Sequence, residues 1–307
     1  MNVTVALVQA SPVMLNAAAT VEKAVGLIRR CADYGAKLIV FPEAFIPAYP
    51  RGLTFGFSVG SRTESGRRDW QRYYENSITI PGPQTDQLAA AARDANAYLS
   101  IGVIECDAQR LNHTLYCTNL FIGSDGALLG KHRKLKPTGS ERLIWGEGDG
   151  STLTVIDTPY GKIGSLICWE NYMPLARAAM YQKGVMLYIA PTADNREEWQ
   201  CTVRHIALEG RCFVLSCNQY CTKSLYPKDL AYYHDLDELP EELCPGGSCI
   251  ISPFGKYIVG PIWGREDVLV AEIDLDEVVR SRLDFDPNGH YARPDVFSLN
   301  VNSSIVD

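Results

Sequence analysis

Residues 162–174 read KIGSLICWENYMP, and Cys168 lies at the centre of this stretch. The apolar run of residues 163–167 predicts a short buried strand, and residues 173–183 have the apolar spacing of an amphipathic helix. We therefore expect the cysteine at the carboxyl end of a strand, where reactive groups collect in α/β proteins. A helix amino terminus just beyond it favours a thiolate over a thiol. The alternative is an ordinary cysteine of the hydrophobic core, because cysteine is often fully buried.

The overall composition is that of a globular protein. The chain has 307 residues, of which 46% are hydrophobic and 21% are charged, and its formal net charge is -7. The acidic balance and the lack of a long run of Lys and Arg argue against nucleic acid as a partner. No apolar segment approaches the length of a membrane span, and the first residues do not resemble a signal peptide. We therefore expect no membrane partner and a cytoplasmic location.

The ten cysteines are expected to be reduced thiols. No CxxC pair occurs, so the late cysteines lack the spacing of a zinc site. We therefore predict no bound metal, and a zinc-dependent hydrolase is an alternative that chelation would test. The late cysteines are Cys212, Cys217, Cys221, Cys244 and Cys249.

The order of the predicted strands and helices indicates two sheets covered by helices. A strand at residues 3–9, a helix at 20–34 and a strand at 37–41 form a βαβ opening, and a similar alternation returns from residue 153 onward. The other elements predicted in the first half are a helix at 84–96 and strands at 98–105, 114–122 and 127–130. Those of the second half are strands at 153–157, 163–167, 185–190, 212–218, 248–252, 257–260 and 268–273, with helices at 173–183, 197–209 and 274–283.

Two stretches interrupt this order and are predicted as long surface loops. Residues 53–74 mix Gly, Ser, Arg and aromatic side chains, and residues 225–245 are polar, acidic and rich in Tyr and Pro. No shift in composition separates two domains. We therefore expect one domain over residues 1–307, with two sheets inside and helices outside.

Three ionisable residues besides Cys168 follow predicted strands. Glu43 comes directly after LIVFP, Lys134 lies in GKHRKLKP after a strand that closes at Gly130, and Glu141 lies in TGSERLIWG. Each alone has an ordinary explanation as a surface charge or a helix cap. Together they supply a thiol, an ammonium and carboxylates, which form a chemically complete set for attack on a carbon bonded to nitrogen.

The sequences around these residues resemble a known family. FPEAF at Glu43, HRKL at Lys134 and ICWEN at Cys168 are similar, in order and spacing, to the three signatures of the nitrilase superfamily of carbon–nitrogen hydrolases. The strings PTGSERLIWGEGDGS, APTAD and GHYARPD resemble the true nitrilases of plants and bacteria. The resemblance covers nearly the whole chain. It implies an α/β fold, the four-layer α-β-β-α sandwich, with the site at one sheet edge.

The resemblance also implies a role for each ionisable residue. By this carry-over Cys168 is the nucleophile, Glu43 the general base, Lys134 the electrostatic stabiliser, and Glu141 a second carboxylate that positions the others. Addition of sulfur to a nitrile carbon places negative charge on nitrogen, which a fixed ammonium and the backbone N–H of Trp169 would stabilise. A thioimidate and then a thioester would follow, and no metal or organic cofactor is required.

Residues in or beside the motifs are expected to wall a substrate pocket, with ordinary packing as the alternative for each. They are Trp169, Tyr49, Thr192, Trp199 and His132.

The predicted reaction converts a small-molecule nitrile to a carboxylic acid and ammonia. An amidase or carbamoyl-hydrolase, or an enzyme that stops at the amide, would use the same groups and remains an alternative. A non-enzymatic scaffold on the same fold would have no need of all four residues. The nitrile is left open among aliphatic, arylaliphatic and cyanoamino-acid compounds. The resemblance further implies a homo-oligomer, a dimer that extends into a spiral or a larger assembly.

Overall fold

The computed structural model describes residues 1–107 and 113–305, and most of its regular elements are β-strands. The strands are β1 (Asn2–Gln9), β2 (Leu38–Val40), β3 (Tyr98–Cys106), β4 (Leu115–Ile122), β5 (Leu128–Arg133), β6 (Val155–Thr158), β7 (Gly161–Ser165), β8 (Leu187–Thr192), β9 (Phe213–Asn218), β10 (Tyr220–Thr222), β11 (Glu242–Ile251), β12 (Tyr257–Trp263) and β13 (Asp267–Asp274). The helices are α1 (Ala17–Asp33), α2 (Glu64–Glu75), α3 (Pro83–Ala95), α4 (Pro174–Gln182), α5 (Glu197–Gly210) and α6 (Asp276–Ser281).

The strands form two sheets, each with a parallel centre. The first sheet has the order β13-β1-β2-β3-β4-β5, and β1, β2 and β3 run parallel. The second has the order β10-β11-β9-β8-β7-β6, with β12 beside β11, and β7, β8 and β9 run parallel. Because the carboxyl ends of parallel strands meet at one edge, each sheet collects the residues that follow its central strands there.

Three hydrophobic layers hold the sheets and helices together. Side chains of α1 and α3, such as Ile28 and Leu88, pack on one face of the first sheet. The two sheets face each other across a shared core that includes Leu7 and Ile189. Side chains of α4 and α5 cover the outer face of the second sheet. The predicted four-layer α-β-β-α sandwich is confirmed. The single domain over residues 1–307 stays a prediction, and the shared core favours it.

The predicted surface loop at residues 53–74 is wrong in its second half, which forms α2. Thr63 begins this helix by accepting a hydrogen bond from the backbone N–H of Gly66 at 3.1 Å. The helix is strongly polar overall, and its buried positions Gly66, Asp69 and Tyr73 include only one apolar ring, which is why the pattern of apolar residues did not reveal it. A buried carboxylate fixes it instead: Asp69 accepts from the backbone N–H groups of Ala231 and Tyr232 at 3.2 and 2.9 Å.

Most strand and helix ends differ by a few residues from the sequence prediction, and two of these differences affect the loops and the site. The loop expected over residues 225–245 ends earlier, because β11 begins at Glu242. Strand β5 does not close at Gly130 but continues to Arg133, where its charged residues pair with β4. Lys134 is therefore the first residue beyond β5. In the described part of the chain no helix is long and apolar enough to cross a membrane.

Candidate active site

The site lies where strands of both sheets end. Glu43 follows β2 and Lys134 follows β5 in the first sheet, whereas Cys168 follows β7 and Thr192 ends β8 in the second. All four are buried, with at most 4% of their surface exposed. The two sheets therefore each contribute side chains to one buried cluster.

A triple charge cluster forms the centre of the site. The Lys134 ammonium donates to Oε1 of Glu43 at 2.6 Å and to Oε2 of Glu141 at 2.7 Å. Burial opposes the ammonium, but the negative charge of Glu43 first of all, together with that of Glu141, outweighs it and holds the pKa of Lys134 well above its usual value. Lys134 is therefore a fixed positive charge.

Glu141 is held by the backbone and by a phenol as well as by Lys134. Its carboxylate accepts from the backbone N–H of Thr138 at 2.6 Å, which caps the 3₁₀ turn Gly139–Leu143. The Tyr49 hydroxyl donates to the other oxygen at 2.7 Å. These contacts fix the carboxylate, and through it the direction of the ammonium.

The Glu43 carboxylate uses its two oxygens differently. Oε1 accepts from Lys134 and from the Cys117 thiol, the latter at 3.6 Å. Oε2 is buried and has no hydrogen-bond partner among residues 1–107 and 113–305. Burial first of all, and then the nearby Glu141, raise the pKa of Glu43, and Lys134 and the Cys168 thiol only partly offset this. The carboxylate is a strengthened proton acceptor with one oxygen free.

Cys168 has a backbone conformation that side chains other than glycine rarely adopt. Its φ is 51° at the start of the 3₁₀ turn Cys168–Tyr172. Such a residue is held in place by its surroundings, and it is common at active sites. Here the side chain of Asn171 donates to the Cys168 carbonyl at 2.8 Å and so helps to hold the turn.

The surroundings of Cys168 favour the thiol over the thiolate that the sequence suggested. Burial, followed by the negative charge of Glu43, raises the pKa of Cys168 to about 12, and Lys134 and Thr192 only partly offset this. The residues after it form a short 3₁₀ turn before α4 begins at Pro174, so no long helix starts at the sulfur. The thiol must therefore lose its proton during the reaction.

The Thr192 hydroxyl contacts the sulfur directly. It lies 3.2 Å from Sγ of Cys168, and its oxygen accepts from the backbone N–H of Asp194 at 2.9 Å. Because that N–H occupies a lone pair of the oxygen, the single hydroxyl hydrogen is free to point at the sulfur. Thr192 is thus a donor to the nucleophile rather than an apolar wall.

Two adjoining cavities lie at the site, and the smaller one reaches the sulfur. One of about 190 Å³ is lined by Cys168, Trp169 and Arg196, among others. The other, of about 420 Å³, has several aromatic walls that include Phe55 and Trp145. Both cavities share the lining residues Tyr49, Arg51 and Glu141. They therefore provide space for a small molecule that reaches Cys168 past Tyr49.

The residues predicted to wall the pocket fall into two groups. Tyr49 and Trp169 line the cavities, and Thr192 lies behind the sulfur. For Trp199 and His132 the structure supports the packing alternative, because both are buried outside these two cavities. The indole of Trp199 donates to Ser216 at 2.9 Å between α5 and the second sheet. His132 points into the space between the sheets, where both ring nitrogens are bonded.

Some residues of the site were not found from the sequence. Arg51 lines both cavities, its guanidinium donates to the carbonyl of Ala193, and it lies 5.4 Å from the ring centre of Tyr49. Its position directly after Tyr49-Pro50 was the available signal. Cys117 contacts the Glu43 carboxylate, but nothing in its strand pattern marks it. In the described residues no group of three or more His, Cys, Asp or Glu side chains is arranged to hold a metal ion.

The chain is similar over nearly its whole length to known carbon-nitrogen hydrolases. Residues 4–282 match the family model of the carbon-nitrogen hydrolases. The chain is 52% identical over 308 residues to the bifunctional nitrilase/nitrile hydratase NIT4B of Nicotiana tabacum, covering 99% of this chain and 87% of that protein. It is also 52% identical over 297 residues to the aliphatic nitrilase of Sinorhizobium fredii (strain HH103), covering 97% and 94%.

Solved structures agree on the fold. The crystal structure of Saccharomyces cerevisiae Nit3, a member of branch 10 of the nitrilase superfamily, superposes with a TM-score of 0.72 at 23% identity, covering 94% of this chain and 96% of that one. The carbon-nitrogen hydrolase from Helicobacter pylori G27 gives 0.73 at 19% identity, covering 96% and 97%. Since the family model spans most of the chain and the relatives share half of its residues, the chain is an enzyme of the carbon-nitrogen hydrolase family, as its three motifs predicted.

Proposed function

We propose that this enzyme is a nitrilase, which hydrolyses an organic nitrile to a carboxylic acid and ammonia through covalent intermediates on Cys168. One observation carries the proposal. A thiol stands beside a fixed ammonium and a carboxylate with a free oxygen, at the end of a cavity that admits a small molecule. Nucleophilic attack on a carbon–nitrogen bond needs a nucleophile, a proton acceptor and a charge stabiliser, and these three groups supply them.

In the first step the sulfur adds to the nitrile carbon. The thiol proton passes to Glu43, whose Oε2 is free among the described residues and whose pKa is raised by burial. Negative charge develops on the nitrile nitrogen, where the Lys134 ammonium and the backbone N–H of Trp169 stabilise it. The nitrogen takes up the proton from Glu43, and a thioimidate on Cys168 results.

Two water molecules complete the reaction. The first adds to the thioimidate carbon while Glu43 accepts its proton, and the carbon–nitrogen bond then breaks to release ammonia and leave a thioester. The second water attacks the thioester, the carbon–sulfur bond breaks, and the thiol takes back a proton. One nitrile and two waters thus give one acid and one ammonia.

The two cavities suggest how the rest of the nitrile is held. The smaller cavity reaches the sulfur, and the larger one of about 420 Å³ continues past Tyr49 between aromatic side chains. This volume lies in the range of ordinary small-molecule sites. The substrate is therefore a small-molecule nitrile whose organic group occupies the aromatic cavity.

The names of the relatives suggest that an amide is a second product. Several of them, including NIT4B of Nicotiana tabacum, are named bifunctional nitrilase/nitrile hydratase. After the first water has added, the tetrahedral intermediate can expel sulfur instead of ammonia, which gives the amide. We extend the proposal to this outcome and expect some amide beside the acid.

The test compares a nitrile with the matching amide. Wild-type protein is incubated with phenylacetonitrile, a short dinitrile or β-cyanoalanine, and acid, amide and ammonia are measured together. The C168A variant should lose turnover by about 10³-fold or more while it stays folded. The C212A variant loses another buried thiol, far from the site, and should keep its activity. Ammonia released from the amide alone would replace the nitrilase with an amidase.

Assembly and location remain proposals. We propose a homo-oligomer on the strength of the resemblance, and exposed apolar side chains such as Leu175 and Phe297, which are 70% and 77% exposed, favour a partner surface. Size-exclusion chromatography that gives a stable monomer would contradict it. The cytoplasmic location stays a prediction.

A further inference from the structure

A second buried carboxylate lies two residues after the nucleophile. Glu170 is 1% exposed and lies outside both cavities, so it does not touch a molecule bound there. Its Oε2 accepts from the backbone N–H of Ile167, and its Oε1 from the backbone N–H of Leu135, each at 2.6 Å. Ile167 precedes Cys168, and Leu135 follows Lys134. One side chain therefore joins the two backbone segments that carry the nucleophile and the ammonium.

The two hydrogen bonds of Glu170 connect one sheet to the other. Lys134 extends from β5 of the first sheet, whereas Cys168 follows β7 of the second. Apart from side-chain packing, their relative position depends on contacts of this kind between the sheets. Because Cys168 has a φ of 51°, its backbone also needs support from its surroundings.

The pattern of acceptors requires a carboxylate. The two backbone N–H groups point at different oxygens of Glu170, so both oxygens must accept. A glutamine side chain has one oxygen and one NH₂ group, and the NH₂ would face one of these N–H groups. A buried donor left without an acceptor is unfavourable, so that backbone segment would move.

His132 supplies the positive charge that balances Glu170. Its Nε2 lies 2.9 Å from Oε2 of Glu170, and its Nδ1 lies 2.9 Å from the carbonyl of Thr152. Both partners only accept, so both ring nitrogens carry hydrogen and the ring is an imidazolium. Burial and the Lys183 charge oppose this form, but Glu170 and the Thr152 carbonyl outweigh them and raise the pKa of His132. Glu170 is thus a carboxylate with its own counter-ion.

We propose that Glu170, paired with His132, is a positioning residue. It fixes the distance between the Lys134 ammonium and the Cys168 sulfur by holding the backbone of the residue next to each of them in the chain. This inference rests on the proposed function, because it assigns the geometry of the same reaction. The ammonium must lie beside the nitrogen of a nitrile whose carbon contacts the sulfur, and small misplacements of reacting groups are costly.

The test replaces Glu170 by glutamine and measures turnover, affinity and product together. In E170Q we expect kcat to fall about 10²-fold while KM stays within about threefold, because the cavities are untouched and the catalytic groups are displaced. The fraction of amide should also change, because the charge stabiliser has moved relative to the intermediate. A residue needed only for stability would change neither kcat per folded molecule nor the product ratio.

A matched control separates positioning from the loss of any buried carboxylate. Glu105 is 1% exposed and pairs with Arg133 and Lys131, but these partners are side chains of the first sheet rather than backbone groups beside the catalytic residues. The E105Q variant should lose stability and keep the wild-type kcat and product ratio.

If E170Q does not fold, the E170D variant replaces it in the same test. It keeps the charge but is one methylene shorter, so it cannot reach both N–H groups, and kcat should again fall with little change in KM.

The outcomes distinguish this proposal from the proposed function. A wild-type protein that hydrolyses no nitrile contradicts the nitrilase proposal. The rate at which iodoacetamide alkylates Cys168 then tests the positioning proposal without any substrate, and it should differ between wild type and the Glu170 variants. Wild-type kcat, product ratio and alkylation rate in a folded Glu170 variant would overturn the positioning proposal.

Discussion

Two buried cations lie two residues apart at the end of β5 and just beyond it, and the carboxylates that pair with them differ in one respect. Lys134 bonds to Glu43 and Glu141, and His132 bonds to Glu170. Alternate residues of a strand point to the same side, so both cations enter the space between the sheets. Both oxygens of Glu170 accept from backbone N–H groups, whereas Oε2 of Glu43 has no partner in the part of the chain that is described.

This difference separates the reactive cluster of Lys134 with Glu43 and Glu141, here the open pair, from the positioning pair of His132 with Glu170, here the closed pair. A buried acceptor without a partner is unfavourable, and such atoms are tolerated where a ligand or a proton will occupy them. Glu141 of the Lys134 cluster also lines both cavities, whereas neither His132 nor Glu170 lines either of them. Burial and charge alone therefore do not identify a catalytic group, and an acceptor without a partner, in a cluster that reaches a cavity, does.

The largest effect is expected when the open pair loses its cation. In K134M we expect turnover of the nitrile to fall about 10³-fold or more, because the charge on nitrogen is no longer stabilised. Steady-state rates of ammonia release measure this. The K136M variant removes an exposed lysine two residues away, which is 50% exposed, and should behave like wild type. An active K134M enzyme would show that the open pair is not catalytic.

Loss of the cation from the closed pair should lower the stability of the fold. In H132Q we expect the free energy of unfolding to fall by about 3 kcal/mol, since the buried Glu170 loses its counter-ion. Because the folded pKa of His132 is raised, the stabilisation is complete below the usual unfolded value of about 6.5 and is lost as the pH rises through the folded pKa. Urea unfolding of both proteins from pH 5 to 9 measures it.

The control for this prediction is a histidine on the surface. His205 is 63% exposed, and H205Q should change the stability little at any pH. A difference between wild type and H132Q that is the same at every pH would mean that His132 is not a buried imidazolium.

A smaller effect is expected from the donor to the sulfur. In T192V the hydroxyl is lost and the shape is kept, so the rate of Cys168 alkylation at neutral pH should fall about 10- to 100-fold. Its pH profile should move to higher pH, because a donor that stabilises the thiolate has gone. T192S keeps the hydroxyl and should stay near wild type. A T192V profile equal to that of wild type would limit Thr192 to packing.

The smallest effect is expected from Tyr49, which contacts the open pair through Glu141. In Y49F the phenol no longer donates to Glu141, but Lys134 and the N–H of Thr138 still do. We expect kcat to fall about fivefold, which corresponds to one net hydrogen bond. Kinetics with the same nitrile measure it, with Y160F as a control away from the site. A loss as large as that of K134M would make Tyr49 a direct participant in the reaction.

Much of the fold could be predicted because its signals are local. The alternation of strands and helices and the boundaries of α1, α3 and α5 follow from apolar spacing within each segment. The helix α2 could not be found this way, because a buried carboxylate that bonds to residues about 160 positions later fixes it. The end of β5 was also missed, because charges that look solvated in sequence pair with Glu105 and Glu170.

The sequence by itself determined the family, the order of the elements, and the three motifs that carry Glu43, Lys134 and Cys168, because each depends on residues close together in the chain. Only the tertiary structure decided which buried carboxylate keeps an oxygen available for reaction. His132 and Lys134 differ little as sequence positions, yet the carboxylate paired with His132 accepts backbone N–H groups on both oxygens, whereas Glu43, paired with Lys134, keeps one oxygen without a partner among the described residues. The thiol form of Cys168 was decided in the same way, because desolvation depends on everything packed around the sulfur rather than on its neighbours along the chain.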